Sequence, residues 1–348
     1  MTETTDLLVI GAGPAGLVTA IEARLAGIEA IVVDRRQFPI DVACGEGLMP
    51  SGVEGLRRLG VDLRDFGGAD FRGIRYLDDG RVAEARFRKG SGRGVRRTAL
   101  HKALHRRAEE LEVDFRWAVA ARRLTAHGIE TDDGEISARW IAAADGRNSK
   151  IRTMAGLAGR DPRRRRFGVR RHYSLAPWSE FVEVHWADRS EAYVTPVGEN
   201  LVGVAILTDE TPVDFDRMLE CFPLLGERLE GEEPASRDRG AGPFGHRPQA
   251  VARHNLALVG DASGSLDPIT GEGLSIAFAQ ARALVLSIQR GRLDGYIRDH
   301  QRIMRAPRFL ANLLLVIEGR PWLRRRMVQI LASNPRFFET VVHLAASG

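Results

Sequence analysis

Apolar and polar positions fall into three regimes along the chain. Near the start, Leu7 to Ile10 is a continuous apolar run, followed by glycines and then by apolar residues at helical spacing as far as Ala26. A short unbroken run bounded by glycine predicts a buried strand, and the spacing after it predicts a helix that Gly27 ends. Ile31 to Val33 repeat the buried-strand pattern. In the middle of the chain the pattern changes to alternation. "GIRYLDDGRVAEARF" predicts a hairpin turning at Asp79 and Gly80, and "SEFVEVHWADRSEAYVTPVGENLVGVAIL" predicts three strands joined by polar turns. From about Gly291 onward, apolar residues and arginines recur at helical spacing, which predicts amphipathic helices.

The first regime carries chemistry. Gly11, Gly13 and Gly16 make G-x-G-x-x-G between the first strand and its helix, and Asp34 follows 18 residues after Gly16 at the end of the second strand. Gly11 permits the tight turn, Gly13 lets a pyrophosphate approach the backbone, and Gly16 lets helix and strand pack closely. The helix N-terminus stabilises the anion, and the carboxylate accepts a ribose hydroxyl, which favours FAD or NAD over a 2′-phosphorylated dinucleotide. "GAGPFG" at 240–245 repeats the letters without the context. "EEPASRDR" before it has no strand pattern, and His246, Arg247 and Pro248 cannot open a helix.

Two later stretches end apolar strands in acid and glycine. "RWIAAADGRNSKIR" reaches Asp145 and Gly146, with Ser149 and Arg152 beyond. "HNLALVGDASGSLDPITGEGLSIAFAQARALVLSI" reaches Gly260 and Asp261, then opens a long helix at Gly271, Glu272 and Gly273. An acid at a strand end suits a ribose or ribityl hydroxyl, and a glycine-rich helix start suits an electron-rich oxygen or nitrogen. Sites spread over this much chain fit an extended cofactor better than NAD alone.

In order and spacing the three signals resemble the FAD-dependent flavoprotein group of aromatic hydroxylases and geranylgeranyl reductases, over roughly residues 5 to 290. The resemblance implies an α/β fold: a Rossmann-type FAD-binding domain (1–65, 95–160, 250–290) interleaved with a substrate domain on an antiparallel sheet (66–94, 165–248), plus C-terminal helices (291–348). It implies FAD contacts from Gly11, Gly13, Pro14, Ala15, Gly16, Asp34, Arg35, Cys44, Gly45, Arg97, Ala121, Asp145, Gly260, Asp261, Gly271, Gly273 and Leu274. Arg97 matches the arginine of the family's "VRRTALHKAL" helix. Gly264 stands where many hydroxylases carry histidine, and "ACGEGL" is similar to the reductase branch. "EAYVTPVG" keeps Tyr193 and Pro196 of the reductases' aromatic signature but has Thr195 in place of tryptophan.

Composition narrows the setting. Of the 348 residues 44% are apolar and 28% charged, enough for a sizeable core and more than one domain. The net charge of +5 rests on 48 arginines and three lysines, a usage that implies mild attraction to anions rather than nucleic-acid binding. "DPRRRR" at 161–166 has no interleaved aromatics and reads as a solvated linker. Cys44 and Cys221 make neither a disulfide framework nor a zinc site. "MTETTDLLVIGAG" lacks signal-peptide features, and the apolar run at 309–317 is too short to span a bilayer. The expectation is a cytoplasmic protein with at most peripheral membrane contact and no metal. The C-terminal helices read most simply as a cap on the cofactor domain, and more sharply as a basic surface meeting a membrane or lipid-like substrate.

With no legible Ser-His-Asp or Cys-His set, the flavin carries the chemistry. NADPH or NADH visits it transiently, or a partner reductase supplies electrons. Cys44, Tyr193 and Thr195 are the flavin-facing candidates. Cys44 is otherwise a small buried apolar residue, and Glu46 is either an ion-pair partner or a polar group beside the ring. The broken signature favours a monooxygenase that hydroxylates or epoxidises an apolar aromatic or polyketide-like small molecule. A reductase of isoprenoid double bonds is the alternative, and a flavoprotein electron carrier a third reading.

Overall fold

A computed structural model describes residues 2–161 and 164–346. Strand Thr2–Ile10 lies between Ala30–Asp34 and Gly134–Ala143, all parallel, with Asp114–Trp117 and Leu256–Leu258 extending the sheet on either side. Successive residues of the first strand bury on opposite faces. Leu7 and Val9 pack with Leu17, Ile21, Leu104 and Leu284, whereas Leu8 and Ile10 pack with Ile31, Val33 and Ile129. Both faces are covered, which is why its strands read as continuous apolar runs. The helices Pro14–Leu25, Arg97–Glu110 and Gly273–Gln289 share the first of these faces.

The alternating middle of the chain forms a second sheet of seven strands. Its order is Arg239–Ala241, Phe167–Tyr173, Leu201–Thr208, Ser190–Gly198, Val182–Ala187, Gly73–Asp78, Arg81–Arg86, antiparallel except between Val182–Ala187 and Gly73–Asp78. The hairpin turns at Asp79 and Gly80, both with positive φ. On one face Ala192, Val194, Val204 and Ile206 pack against helices Phe215–Leu219 and Pro223–Leu229. The period of two sends Tyr193, Thr195, Ala205 and Leu207 to the other face, which looks onto a large cavity.

Three helices close the chain: Asp294–Glu318, Pro321–Ser333 and Pro335–Ala346. The first packs on helix Gly273–Gln289 of the cofactor sheet. The other two lay Val328, Leu331, Phe338 and Val342 against Ala83 and Ala85 of the hairpin, so they roof the second sheet rather than cap the first. The short strand Arg239–Ala241 precedes Gly242 at the edge of the second sheet, where the sequence pattern predicts no strand, and it runs on into loop rather than helix. Arg166 also departs from its reading as solvated linker. It is buried, with Pro162 and Arg163 of the same run outside the described residues.

Candidate functional site

Register brings the three glycine motifs together. Ile10 lies opposite Ala143, and Ala143 opposite Leu258, so all three strands end at one level. Ligands in such sheets bind outside the carboxyl ends of the strands. At Gly11, with φ +108°, a Cβ would come within 2.4 Å of Ala144 O, which is the close approach of the first motif to the second. A Cβ at Gly16 would sit 1.8 Å from Gly11 O, so this glycine packs the helix on its own loop and stays off the cavity wall. Gly13 differs: a Cβ there meets nothing within 4 Å, and the space it leaves is the cavity itself. Asp34 braces the turn, its carboxylate accepting Ala12 N–H and Arg36 N–H at 2.8 Å each. Pro14, Ala15, Arg35 and Ala121 line the same space.

The second and third motifs are cross-linked. Asp145 accepts Ser149 Oγ–H and Ile151 N–H, and burial raises its carboxyl above the usual range against these bonds. Arg152 donates to Ala262 O at 3.0 Å and to Arg147 O at 2.8 Å, which ties the two loops. Asp261 is open to the cavity, with Arg147, Arg97 and Arg152 near enough to act on its charge. Gly260 lines the wall beside it, and helix Gly273–Gln289 starts there with Gly271, Gly273 and Leu274. No atom would stand within 4 Å of a Cβ at Gly271 or Gly273. Two helix N-termini thus meet open space. Arg97 lines the wall from the start of its helix, and its buried Nε has no partner among the described residues. This cradle of bare glycines, two positive helix ends and an unpaired guanidinium nitrogen fits an extended dinucleotide.

The loop 41–47 is fastened to the second sheet. Cys44 and Gly45 line the cavity, Gly45 O accepts Thr195 Oγ1–H at 2.9 Å, and Cys44 Sγ accepts Glu46 N–H at 3.4 Å. Glu46 is buried with φ +58°. One of its oxygens accepts Arg97 N–H at 2.7 Å, and the other lies 2.5 Å from His172 Nε2. Arg96 and Arg170 lie 3.8 Å and 4.0 Å from the same carboxylate, which also lines the cavity, so Glu46 is an ion-pair partner and a polar group on the cavity wall at once. Arg170, also buried, reaches His172 Nδ1 at 2.9 Å and Asp41 at 2.8 Å. Tyr193 donates its hydroxyl to Ile269 O at 3.0 Å, and burial pushes its phenol well above the usual value. Cys44, Tyr193 and Thr195 therefore share one wall.

The cavity, of about 1230 Å³, is larger than a single drug-sized ligand needs. Beyond Tyr193 and Ile269 its lining is apolar and comes from the last three helices: Leu310, Leu314, Ile317, Met327, Leu331 and Phe338. Sequence reasoning names none of these, nor His172, Arg170 or the buried trio in which Arg166 bridges Glu191 at 2.6 Å and Asp267 at 2.7 Å. The "DPITGEG" spacing points at Asp267, but only the sheet brings Arg166 to it. Among the described residues, no group of three His, Cys, Asp or Glu side chains could hold a metal.

Known proteins are similar to this chain in sequence and in fold. Menaquinone reductase of Mycobacterium tuberculosis (strain ATCC 25618 / H37Rv) is 27% identical over 97% of this chain and 86% of its own. Digeranylgeranylglycerophospholipid reductase 2 of Methanopyrus kandleri is 28% identical over 80% of this chain and 75% of its own. In fold, p-nitrophenol 4-monooxygenase of Pseudomonas putida DLL-E4 is similar at a TM-score of 0.84 and 18% identity, covering 99% of each chain. Residues 4–290 match the FAD binding domain family. That span is most of the chain, which therefore belongs to this family of FAD-dependent oxidoreductases.

Proposed function

We propose that this protein is an FAD-dependent reductase of double bonds in the isoprenoid chain of a lipid-like substrate. The carrying observation is the apolar arm of the cavity, walled by Ile269, Leu310, Leu314, Ile317, Met327 and Phe338 and continuous with the glycine cradle. Such a wall fits a long hydrocarbon better than a compact phenol, and it reverses the preference that the missing tryptophan at Thr195 suggests. The reductase names of the relatives that align over most of the chain support the same reading.

Gly11, Gly13, Asp34, Arg97 and Asp261 would hold FAD, which supplies a hydride when bound and reduced. The chain's own task is orientation and proton supply. The alkyl wall aligns the alkene and excludes water from the reacting face. Cys44 stands on the cavity wall with its sulfur already accepting Glu46 N–H, which leaves its S–H to be turned into the cavity. It is the proton donor to the alkene carbon that does not take the hydride. NADPH or NADH restores the reduced cofactor.

A monooxygenase is the second reading, favoured by the fold shared with p-nitrophenol 4-monooxygenase. Anaerobic protein reduced with NADPH and mixed with a polyprenyl quinone or polyprenyl phospholipid separates the two. The proposal requires flavin reoxidation in step with a product that has gained two hydrogens, slowed in Cys44→Ala. Flavin that stays reduced until oxygen enters, with a product that has gained an oxygen atom, would overturn it.

A further inference from the structure

The apolar arm of the cavity reaches the surface. Leu313 and Phe337 line it, yet they are 44% and 55% exposed, so its mouth lies between helices Asp294–Glu318 and Pro335–Ala346. The outer face of the first of these helices is unusual around that mouth. It buries Met304, Pro307, Ala311 and Leu314, but it also presents Phe309, Leu313 and Val316 outward at i, i+4 and i+7. Phe309 is 71% exposed. Trp322, on the next helix, is 69% exposed, and Ile330 extends the same apolar character. An exposed apolar stripe along one helix, beside the mouth of a cavity, marks an interaction site.

Charge identifies the partner. Between residues 301 and 340 there are eight arginines against two glutamates. One of the glutamates, Glu318, is buried and paired with Arg164. Arg305, Arg320, Arg326 and Arg336 are exposed along the same helices as the apolar side chains. Helices carrying arginines beside tryptophan, phenylalanine and leucine suit the headgroup layer of an anionic bilayer, where the cations meet lipid phosphates and the rings enter the acyl boundary. No helix among the described residues is long and apolar enough to cross a membrane.

We propose that this face docks on the surface of an anionic lipid bilayer and sets the mouth of the cavity against the acyl chains. A long apolar substrate then passes from lipid to cavity without entering water. The docking does not depend on whether that substrate is reduced or oxygenated.

The test is flotation of the full chain, loaded with FAD, with vesicles of phosphatidylcholine alone and of phosphatidylcholine with phosphatidylglycerol. The protein should float with the anionic vesicles and be released by salt. Phe309→Ser with Trp322→Ser, and separately Arg305→Gln with Arg326→Gln, should each weaken binding by about tenfold or more. None of the four residues lines the cavity, so FAD content and thermal unfolding should be unchanged, which separates lost docking from lost folding. Wild type that stays lipid-free, equal flotation with both vesicles, or unaltered binding in the variants would each overturn the proposal. So would a dimer that dissociates on Phe309→Ser and never floats, because that result assigns the face to a second copy. No substrate is used, and the double-bond chemistry stands or falls separately.

Discussion

His172 Nε2 stands 2.5 Å from Glu46 Oε2, with both side chains sealed from solvent between the loop 41–47 and strand Phe167–Tyr173. The ring's proton is assigned by its other neighbours. Arg170 can only donate, and it reaches Nδ1 at 2.9 Å, so Nδ1 accepts and Nε2 carries the hydrogen toward Glu46. His172 is therefore neutral. Burial, its largest influence, lowers the imidazole below its usual value against the pull of Glu46. The loop that bears Cys44 is thus held to the second sheet by a carboxylate serving both Arg97 N–H and His172.

Glu46→Ala removes the acceptor of both and leaves Arg97 N–H and buried His172 Nε2–H short of a partner. It should cost about 1–3 kcal/mol in urea unfolding. Glu46→Gln keeps the shape but places an amide N–H₂ against one of the two donors. It should cost less than alanine and still loosen FAD, read as flavin lost on gel filtration. Equal stability of all three proteins would show that the loop is held elsewhere.

Gly13 and Gly16 should behave oppositely. Gly13 has φ −69°, and a Cβ added there would meet no atom within 4 Å, so Gly13→Ala should fold with unchanged thermal stability. Its methyl enters the space where a pyrophosphate would approach the backbone, and FAD affinity should fall by about tenfold or more. Gly16→Ala would drive Cβ to 1.8 Å from Gly11 O and should cost about 3 kcal/mol or more. Circular dichroism melts with flavin titration check both.

What is legible in the sequence is local. The strand–turn–helix around Gly11 to Gly16 and the turn at Asp79 and Gly80 are dictated by residues within a few positions, and they read directly. Asp145 and Asp261 read through strand-end patterns, although only the register Ile10 to Ala143 to Leu258 makes them neighbours. Arg166 is not legible, because a run of arginines carries no sign of its partners. Glu191 lies 25 residues away and Asp267 lies 101 residues away. The apolar wall escapes for the same reason: Leu314 and Phe338 have ordinary helical spacing, and only packing turns them toward a cavity.

His101 links the first motif to pH. Its Nε2–H donates to Ala12 O at 2.7 Å and its Nδ1 accepts Ile40 N–H, which fixes a neutral ring, and burial lowers its pKa to about 4. The unfolded chain takes this proton at about 6.5. The contribution to stability is therefore present above that value and is lost as pH falls through about 4, at most about 3 kcal/mol. Wild type should release flavin, seen as rising fluorescence, as pH drops from 6.5 toward 4. His101→Gln can still donate to Ala12 O and cannot be protonated, so its release should be flatter. His300, also near 4, keeps a residual slope in both proteins.

Arg166 sets the opposite dependence. One buried guanidinium serves two buried carboxylates, Glu191 and Asp267, and Glu191 Oε1 has no partner among the described residues. Burial outweighs Arg166 and pushes Glu191 up to about 7, above the roughly 4.3 of the unfolded chain. Between these values the folded protein holds a proton that the unfolded chain has released, so this stabilisation is full below about 4 and is lost as pH rises through about 7. Glu191→Gln keeps an oxygen on Arg166 and puts its amide where the proton sat. Unfolding free energies at pH 5.5, 7 and 8.5 should show wild type losing ground to Glu191→Gln as pH rises, by about 1–3 kcal/mol in all. A pH-independent difference would mean that both carboxylates are ionised beside Arg166 throughout. Arg166→Met removes the counter-charge bonded to both and should cost about 3–5 kcal/mol at pH 8.5, with a smaller deficit at pH 5.5, where the carboxyls can take up protons.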